Sequence, residues 1–240
     1  MSSTTRGSGP SEAVASFAAG SHAGAAFDDA LQAAHAHLIA ARIALRTPTE
    51  TSELASRALA SCGTPLRRAF AAATTLAEAP GGRGNAPIVA AAVASGELAG
   101  RSEAEVVEAI AIGCEVAARL ERALTLDAPW DAAAVIGGIG AAAAAARAAA
   151  LDADATRNAI GLAATQAAGL GVVEGTPAAA LACGKAAADA LEAVLLARHG
   201  FSAASASLEG RRGLAALMAS NFDEAALCDD LGRRWYSAVG

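Results

Sequence analysis

The sequence predicts an all-α protein, and three observations support this prediction. Of the 240 residues, 54% are hydrophobic but only 3% are aromatic, so the core must be built from Ala, Leu, Val and Ile. Small side chains let helix backbones approach closely, which favours many packed helices over a sheet sandwich. Signals for helix starts and ends recur along the chain, whereas no alternating run of useful strand length and no internal repeat is found.

The predicted domain organisation is simple. Residues 1–10 are rich in Ser, Thr and Gly and are predicted to be a disordered tail, while residues 11–240 are predicted to form a single helical domain. The polar start does not resemble a signal peptide, and the most apolar run, of about 15 residues, is shorter than the roughly 20 needed to span a bilayer. The four cysteines are dispersed and are expected to be free thiols. We therefore expect a cytoplasmic protein that does not contact a membrane.

Helices in the first half of the chain are bounded by capping residues, prolines and glycines. Ser102 and Glu105 have the spacing of a capping box, Thr64-Pro65 has the pattern of a helix start, and Gly100 is typical of a helix end. The predicted helices cover approximately residues 11–20, 25–46, 52–62, 64–79, 87–100 and 102–124.

The second half continues in the same way. Residues 127–131 break the helical pattern and precede a helix of glycine and alanine, and either Asp152 or Asp154 caps the next helix. Residues 170–177 are predicted to be a loop, followed by a long helix that Gly200 closes. Two or three short helices come next, and Trp235-Tyr236 is expected to pair as an extended segment.

Charge and motifs exclude several classes of function. The net charge is −6 and no stripe of Lys and Arg is present, which argues against nucleic-acid binding. Gly138-x-Gly140-x-x-Ala143 imitates a dinucleotide fingerprint, but no strand precedes it, so close packing of two helices explains these glycines better. His35 and His37 are two positions apart and point to different faces of a helix, which does not suit a metal site. No cofactor or metal is therefore expected.

Lys185 has two interpretations. It lies in the apolar stretch LACGKAAADALEAVLLA, and Asp189, four residues on, is placed to form an ordinary surface ion pair with it. If the side chain instead faces a pocket, burial favours its neutral form, which is usable as a base. Both interpretations remain open at this point.

Three stretches resemble a known family. GCEVAARLERAL at residues 113–124 is similar to the family helix GYEVAARLGRAL, and residues 137–170 resemble the segment with a Gly/Ala helix, a Leu-Asp turn and a Ser/Thr-Gln-Ala-x-Gly-Leu end. Residues 174–213 resemble the segment that ends in an Ala-Arg-x-Gly-Phe turn and a Leu-Glu-Gly. The family is MmgE/PrpD, which includes methylcitrate dehydratases, aconitate decarboxylases and an iminodisuccinate epimerase. The resemblance implies its helical domain.

The acid–base residues of that family are replaced. Its His-Pro-Ser-Ala-Pro loop falls on residues 83–87, where Arg83 replaces histidine, and its aromatic-His-Pro-Thr loop begins at Trp130, where Asp131 replaces histidine. Its Asp-Gly-Ser-x-x-Lys-x-x-His stretch begins at Glu174, and Ala179 and Ala182 replace the lysine and the histidine. We expect a lidless scaffold, without the family's α/β lid domain and without ordinary methylcitrate dehydratase activity.

The replacements fall at the positions of the family's acid–base residues, whereas the residues that form the helices resemble those of the family. We therefore expect a repurposed small-molecule enzyme of the lyase, dehydratase, isomerase or cyclase type, acting on a largely apolar substrate. A non-catalytic binding or scaffold protein, and the helical subunit of a split lyase with a separate lid subunit, are the alternatives. The predicted catalytic residues are Asp131, Glu174 and Lys185, and the predicted substrate-binding residues are Arg83, Trp130 and Thr176.

These hypotheses differ in what they require of the structure. A repurposed enzyme requires a closed cavity lined by Trp130, Asp131, Glu174 and Lys185, whereas a filled core requires none. A split enzyme requires an exposed apolar surface on the side that faces the lid. A homodimer is expected, with the Gly/Ala face of residues 137–146 as the contact, unless that helix is central within one subunit.

Overall fold

The computed structural model describes residues 9–58 and 64–238. Most of the predicted disordered tail lies outside these residues. Cys62 and Gly63, at the predicted end of the third helix, also lie outside them.

Helices dominate the described residues, which confirms the predicted all-α class. A 3₁₀ turn (Gly171–Val173) lies between the eighth and ninth helices. The helices are α1 (Pro10–Ala19), α2 (Ala25–Ala44), α3 (Glu50–Ala58), α4 (Thr64–Glu78), α5 (Ala86–Ala99), α6 (Glu103–Ala123), α7 (Ala132–Ala148), α8 (Ala153–Gln166), α9 (Pro177–Arg198), α10 (Leu214–Met218) and α11 (Glu224–Cys228).

Local capping signals place the helix ends where the sequence predicts them. Ser102 and Glu105 form a reciprocal capping box at the start of α6. Asp152, rather than Asp154, caps α8 by accepting a hydrogen bond from the Ala155 amide. Gly100 ends α5 with a φ of +66°, a left-handed conformation that favours glycine.

Two short strands accompany the helices, although the sequence has no alternating run of useful strand length. β1 (Leu124–Leu126) pairs antiparallel with β2 (Ala219–Phe222), with Leu124 opposite Phe222. Segments of this length are too short to show alternation in a sequence. The expected extended pairing of Trp235-Tyr236 is wrong, because neither residue belongs to a strand or a bridge, and the Trp235 ring packs against Phe17 and Phe27.

Helix α7 lies at the centre of the bundle, where it packs against α5, α6, α8 and α9. At its crossing with α6, a Cβ added to Gly140 would lie 2.7 Å from the carbonyl oxygen of Gly113. The two backbones approach so closely because both residues lack a side chain, which supports helix packing as the reason for these glycines. Nearly all of residues 137–146 are buried inside this one subunit. The expected dimer contact through that face is therefore wrong, and the helix is central within the subunit.

A buried ion pair fixes the C-terminal segment to α6. The side chains of Glu115 and Arg119 are fully buried, and Arg119 Nε donates to Glu115 Oε1 at 2.7 Å. Glu115 Oε2 accepts hydrogen bonds from the backbone amides of Tyr236 and Ser237. The guanidinium also donates to four backbone carbonyl oxygens, those of Leu227, Asp229, Asp230 and Arg234.

Within the described ranges, no helix combines the length and the apolar character that crossing a bilayer would need.

Candidate functional site

The candidate site lies where four segments meet: the loop before α5, the start of α7, the end of α8 and the start of α9. Backbone hydrogen bonds join the segment before α7 to the segment after α8. The Asp131 amide donates to the Gly169 carbonyl at 3.0 Å, and the Gly171 amide donates to the Pro129 carbonyl at 2.7 Å. These bonds hold Trp130 beside Leu170.

Arg83 and Asp131 contact each other, although they are 48 residues apart in the chain. Arg83 Nη2 donates to Asp131 Oδ2 at 2.5 Å, and Asp131 is only 4% exposed. The other oxygen, Oδ1, accepts a hydrogen bond from the Ala133 amide and caps α7. Both carboxylate oxygens are therefore engaged in holding the loop before α5 against the start of α7.

Cys183 completes this cluster and was not among the predicted site residues. Its thiol is buried in α9, and its sulfur lies 3.8 Å from the carbonyl oxygen of Arg83. Burial, reinforced by the nearby Asp131 charge, raises the pKa of the Cys183 thiol to about 11. The residue is therefore a neutral thiol at physiological pH. Nothing in the local sequence around Cys183 signals its contact with Arg83.

Lys185 forms an ion pair with Asp189, one turn further along α9. The lysine side chain is 64% exposed and the aspartate side chain 13%, so the ammonium group lies at the surface and the carboxylate lies below it. The first interpretation of Lys185, an ordinary ion pair, therefore matches its observed contacts.

A small cleft adjoins this ion pair. Its volume is about 110 Å³, and its lining includes Lys185, Asp189, Gln166 and Gly169. Ligand sites usually have volumes of about 300–1,000 Å³, so the cleft is too small to enclose a substrate by itself. This cleft is not the closed cavity expected for a repurposed enzyme, because its lining does not include Trp130, Asp131 or Glu174.

Glu174 and Thr176 lie on the exposed turn between the 3₁₀ segment and α9. The Thr176 hydroxyl donates to the Val173 carbonyl at 2.6 Å, which stabilises the turn. The Glu174 carboxylate makes no hydrogen bond or ion pair with the described residues, so it is free to interact with a ligand. The structure thus brings Arg83 and Asp131 together and leaves Glu174 outside that cluster.

Exposed apolar side chains lie in the segments that also contribute lining residues to the cleft, since Leu170 follows Gly169 and Leu181 precedes Ala182. Val172 is 83% exposed, Leu170 is 57% exposed and Leu181 is 37% exposed. Trp130 is half-buried next to Leu170. Exposed apolar side chains in neighbouring segments are a feature expected of an interaction surface.

The two helix histidines lie away from this cluster, on different faces of α2 as predicted. His35 is exposed and lies 3.5 Å from Glu103, whereas His37 is half-buried and lies 3.1 Å from the Asn85 side chain. Burial lowers the pKa of His37. Among residues 9–58 and 64–238, no group of three or more His, Cys, Asp or Glu side chains is arranged to hold a metal ion.

Comparison with known proteins identifies a family. The model of the MmgE/PrpD N-terminal domain matches residues 75–226, which is more than half of the chain. No curated protein matches the sequence. The matched region contains every predicted site residue, from Arg83 to Lys185. The all-α bundle, the three similar stretches and this match agree, and the chain belongs to the MmgE/PrpD family.

Proposed function

We propose that this domain is the helical half of a two-part MmgE/PrpD-type enzyme, and that a separate lid subunit covers its cleft. The observation that carries this proposal is a cleft of about 110 Å³ whose lining segments continue into exposed apolar residues, Leu170 after Gly169 and Leu181 before Ala182. A cleft of this size becomes a substrate site only when a second surface closes over it.

The exposed apolar side chains supply a reason for docking. Burying an exposed Val or Leu side chain contributes about 1.5–3 kcal/mol. Leu170, Val172 and Leu181 together therefore offer a substantial part of the free energy of association, before the entropic cost of joining two subunits is subtracted.

Lys185 and Glu174 supply the polar groups for the reaction in the covered site. The Lys185 ammonium, held by Asp189, is placed to donate a proton or to bind a carboxylate, and the unpaired Glu174 carboxylate is placed to accept a proton. Exclusion of water by the lid strengthens both interactions. These roles suit a lyase, dehydratase or isomerase that moves a proton next to a carboxylate.

The remaining predicted residues have supporting roles in this proposal. Asp131 is a positioning residue, because its two oxygens hold Arg83 and cap α7. The Arg83 side chain is 32% exposed, so its guanidinium retains donors for an anionic substrate group. Trp130, held beside Leu170, belongs to the surface that the lid covers, and Thr176 orients the turn that carries Glu174.

A second candidate is an enzyme that acts without a lid on a largely apolar substrate. The lining of the cleft favours it, since Ala, Gly and Val form all of that lining except Gln166, Lys185 and Asp189. A bound substrate would then have to extend over the exposed Leu170 and Val172 side chains.

Substitution of the proposed docking surface tests the first candidate. We expect the tagged protein, isolated from its native cells, to retain a stoichiometric subunit with an MmgE/PrpD lid domain, identified by mass spectrometry. The double variant Leu170→Glu, Val172→Glu should lose this subunit because the charges oppose burial. Phe201→Glu is the matched control, because Phe201 is 58% exposed beyond the opposite end of α9.

Activity then tests the roles of the polar residues. The complex, incubated in deuterated buffer with a panel of hydroxy- and unsaturated carboxylates, should exchange a proton next to a carboxylate, which NMR detects. Lys185→Met and Glu174→Gln should each abolish the exchange and leave the far-UV circular dichroism spectrum unchanged. A protein that binds no lid subunit, or a double variant that still binds it, would contradict the proposal. Exchange by the isolated chain would support the second candidate instead.

A further inference from the structure

A large groove lies away from the candidate site, between α2 and α3 on one side and α4 and α5 on the other. It consists of two adjoining cavities with volumes of about 620 Å³ and 370 Å³. Both volumes fall within the range that is usual for ligand sites. The two cavities share five lining residues and therefore form one continuous groove: Leu45, Ala72, Ala90, Val93 and Glu97.

The groove is open because its floor is made of small side chains. Ala71, Ala72, Ala90 and Ala94 face it from α4 and α5. Helix α2 packs chiefly against α6 and touches α4 and α5 at few points, so it spans the groove without filling it. The result is a predominantly apolar space, since Leu45 and Val93 add to its alanine floor.

The positive and negative charges that line each cavity of the groove are equal in number. Each cavity is lined by two arginines and two glutamates. Arg68 pairs with Glu97 at 3.2 Å, and Arg42 pairs with Glu103 at 2.8 Å. A site without excess charge gives no electrostatic preference to an anion or a cation, and burying an ion in an apolar space without a partner is costly. The lining therefore favours an uncharged ligand.

We propose that this groove binds an uncharged, elongated and largely hydrocarbon molecule, such as a long-chain alcohol. The apolar chain lies on the alanine floor of α4 and α5. The hydroxyls of Ser52 and Thr75 already donate to backbone carbonyls and retain lone pairs, so they accept a hydrogen bond from the polar end of the ligand. None of the six predicted site residues lines the groove, which makes it a second site, independent of the lid and of the proposed function.

Fluorescent probe binding tests this proposal on the full chain. The probe is N-phenyl-1-naphthylamine, an uncharged apolar molecule whose emission rises on burial. We expect saturable binding of one probe per chain, displaced by decanol much more effectively than by decanoate. Ala72→Phe fills the region common to both cavities and should raise the dissociation constant about tenfold or more, since it removes the space for the ligand.

Two further variants make the outcome decisive. Ala36→Phe is the matched control, because Ala36 is exposed on α2 and lines neither cavity, and it should bind the probe as the parent chain does. Leu45→Asp changes an exposed residue at the mouth of the groove, so it should fold normally and weaken probe binding even if Ala72→Phe does not fold. Unsaturable binding, unchanged affinity in Leu45→Asp, or equal displacement by decanoate would each overturn the proposal.

Discussion

Replacing Gly140 by alanine inserts a methyl group where α6 and α7 cross. The new Cβ would lie 2.7 Å from the Gly113 carbonyl oxygen, 3.0 Å from Ile88 Cδ1 and 3.1 Å from Ala117 Cβ. The first of these contacts involves backbone, which cannot rotate away, so the two helices must separate by several tenths of an ångström. Gly138, two residues earlier in the same helix, provides the control, because its added Cβ would meet only Ala186 Cβ at 3.5 Å.

The two substitutions should change stability in opposite directions. Alanine in place of glycine in a helix interior contributes about 0.5–1 kcal/mol, and Gly138→Ala should gain this amount. Overpacking of a core costs about 1–3 kcal/mol, so Gly140→Ala should be roughly 1–2 kcal/mol less stable than the parent chain after the same gain is included. For a chain of this size, each 1 kcal/mol corresponds to about 2–4 °C in Tm.

Thermal unfolding followed by circular dichroism measures both effects under identical conditions. We expect Gly140→Ala to unfold below the parent chain and Gly138→Ala to unfold above it. Urea unfolding of the same three proteins checks that the order does not depend on heating. If Gly140→Ala is as stable as Gly138→Ala, the close approach of α6 and α7 is refuted, and with it the packing explanation for the glycines.

Two other predictions concern buried ionisable groups. Arg119→Met should reduce the free energy of unfolding in urea by about 3–5 kcal/mol, because it leaves the buried Glu115 charge without a cation beside it. Adding Glu115→Gln should restore part of this loss, and a double variant no more stable than the single one would contradict the reasoning. Burial is the main cause that lowers the pKa of His22, so the folded state binds its proton less readily than the unfolded state. The contribution of His22 to stability should be complete above about pH 6.5 and decline as the pH falls through the lowered folded value. His22→Phe should make stability, measured by urea unfolding, less dependent on pH on the acid side. Part of the dependence should remain, because burial also lowers the pKa of His37.

Helix boundaries could be predicted because their signals are local. The Ser102 side chain and the Glu105 amide are three residues apart, and so are the Asp152 side chain and the Ala155 amide. Such contacts form whenever the chain turns into a helix, whatever the rest of the fold does. The Lys185–Asp189 pair belongs to the same class, since one helical turn separates its partners.

The arrangement of the candidate site could not be predicted in the same way. The sequence indicates Arg83 and Asp131 as separate site residues because family histidines are replaced there. Their mutual contact depends on how the loop before α5 packs against α7. Cys183 shows the same limit, because its place beside Arg83 joins residues 100 positions apart. The size of the cleft depends on how closely α8 and α9 approach, which no short motif encodes.

Alone, the sequence determined the all-α class and most helix ends, because periodicity and capping act within a few residues, and its three similar stretches indicated the family. Tertiary structure decided that α7 is central rather than a dimer face, and that Arg119 binds carbonyl groups more than 100 residues away. It also decided that the cleft beside Lys185 has a volume of only about 110 Å³. The physical reason is that contacts between distant segments depend on the packing of whole helices, which sums many weak interactions along the entire chain.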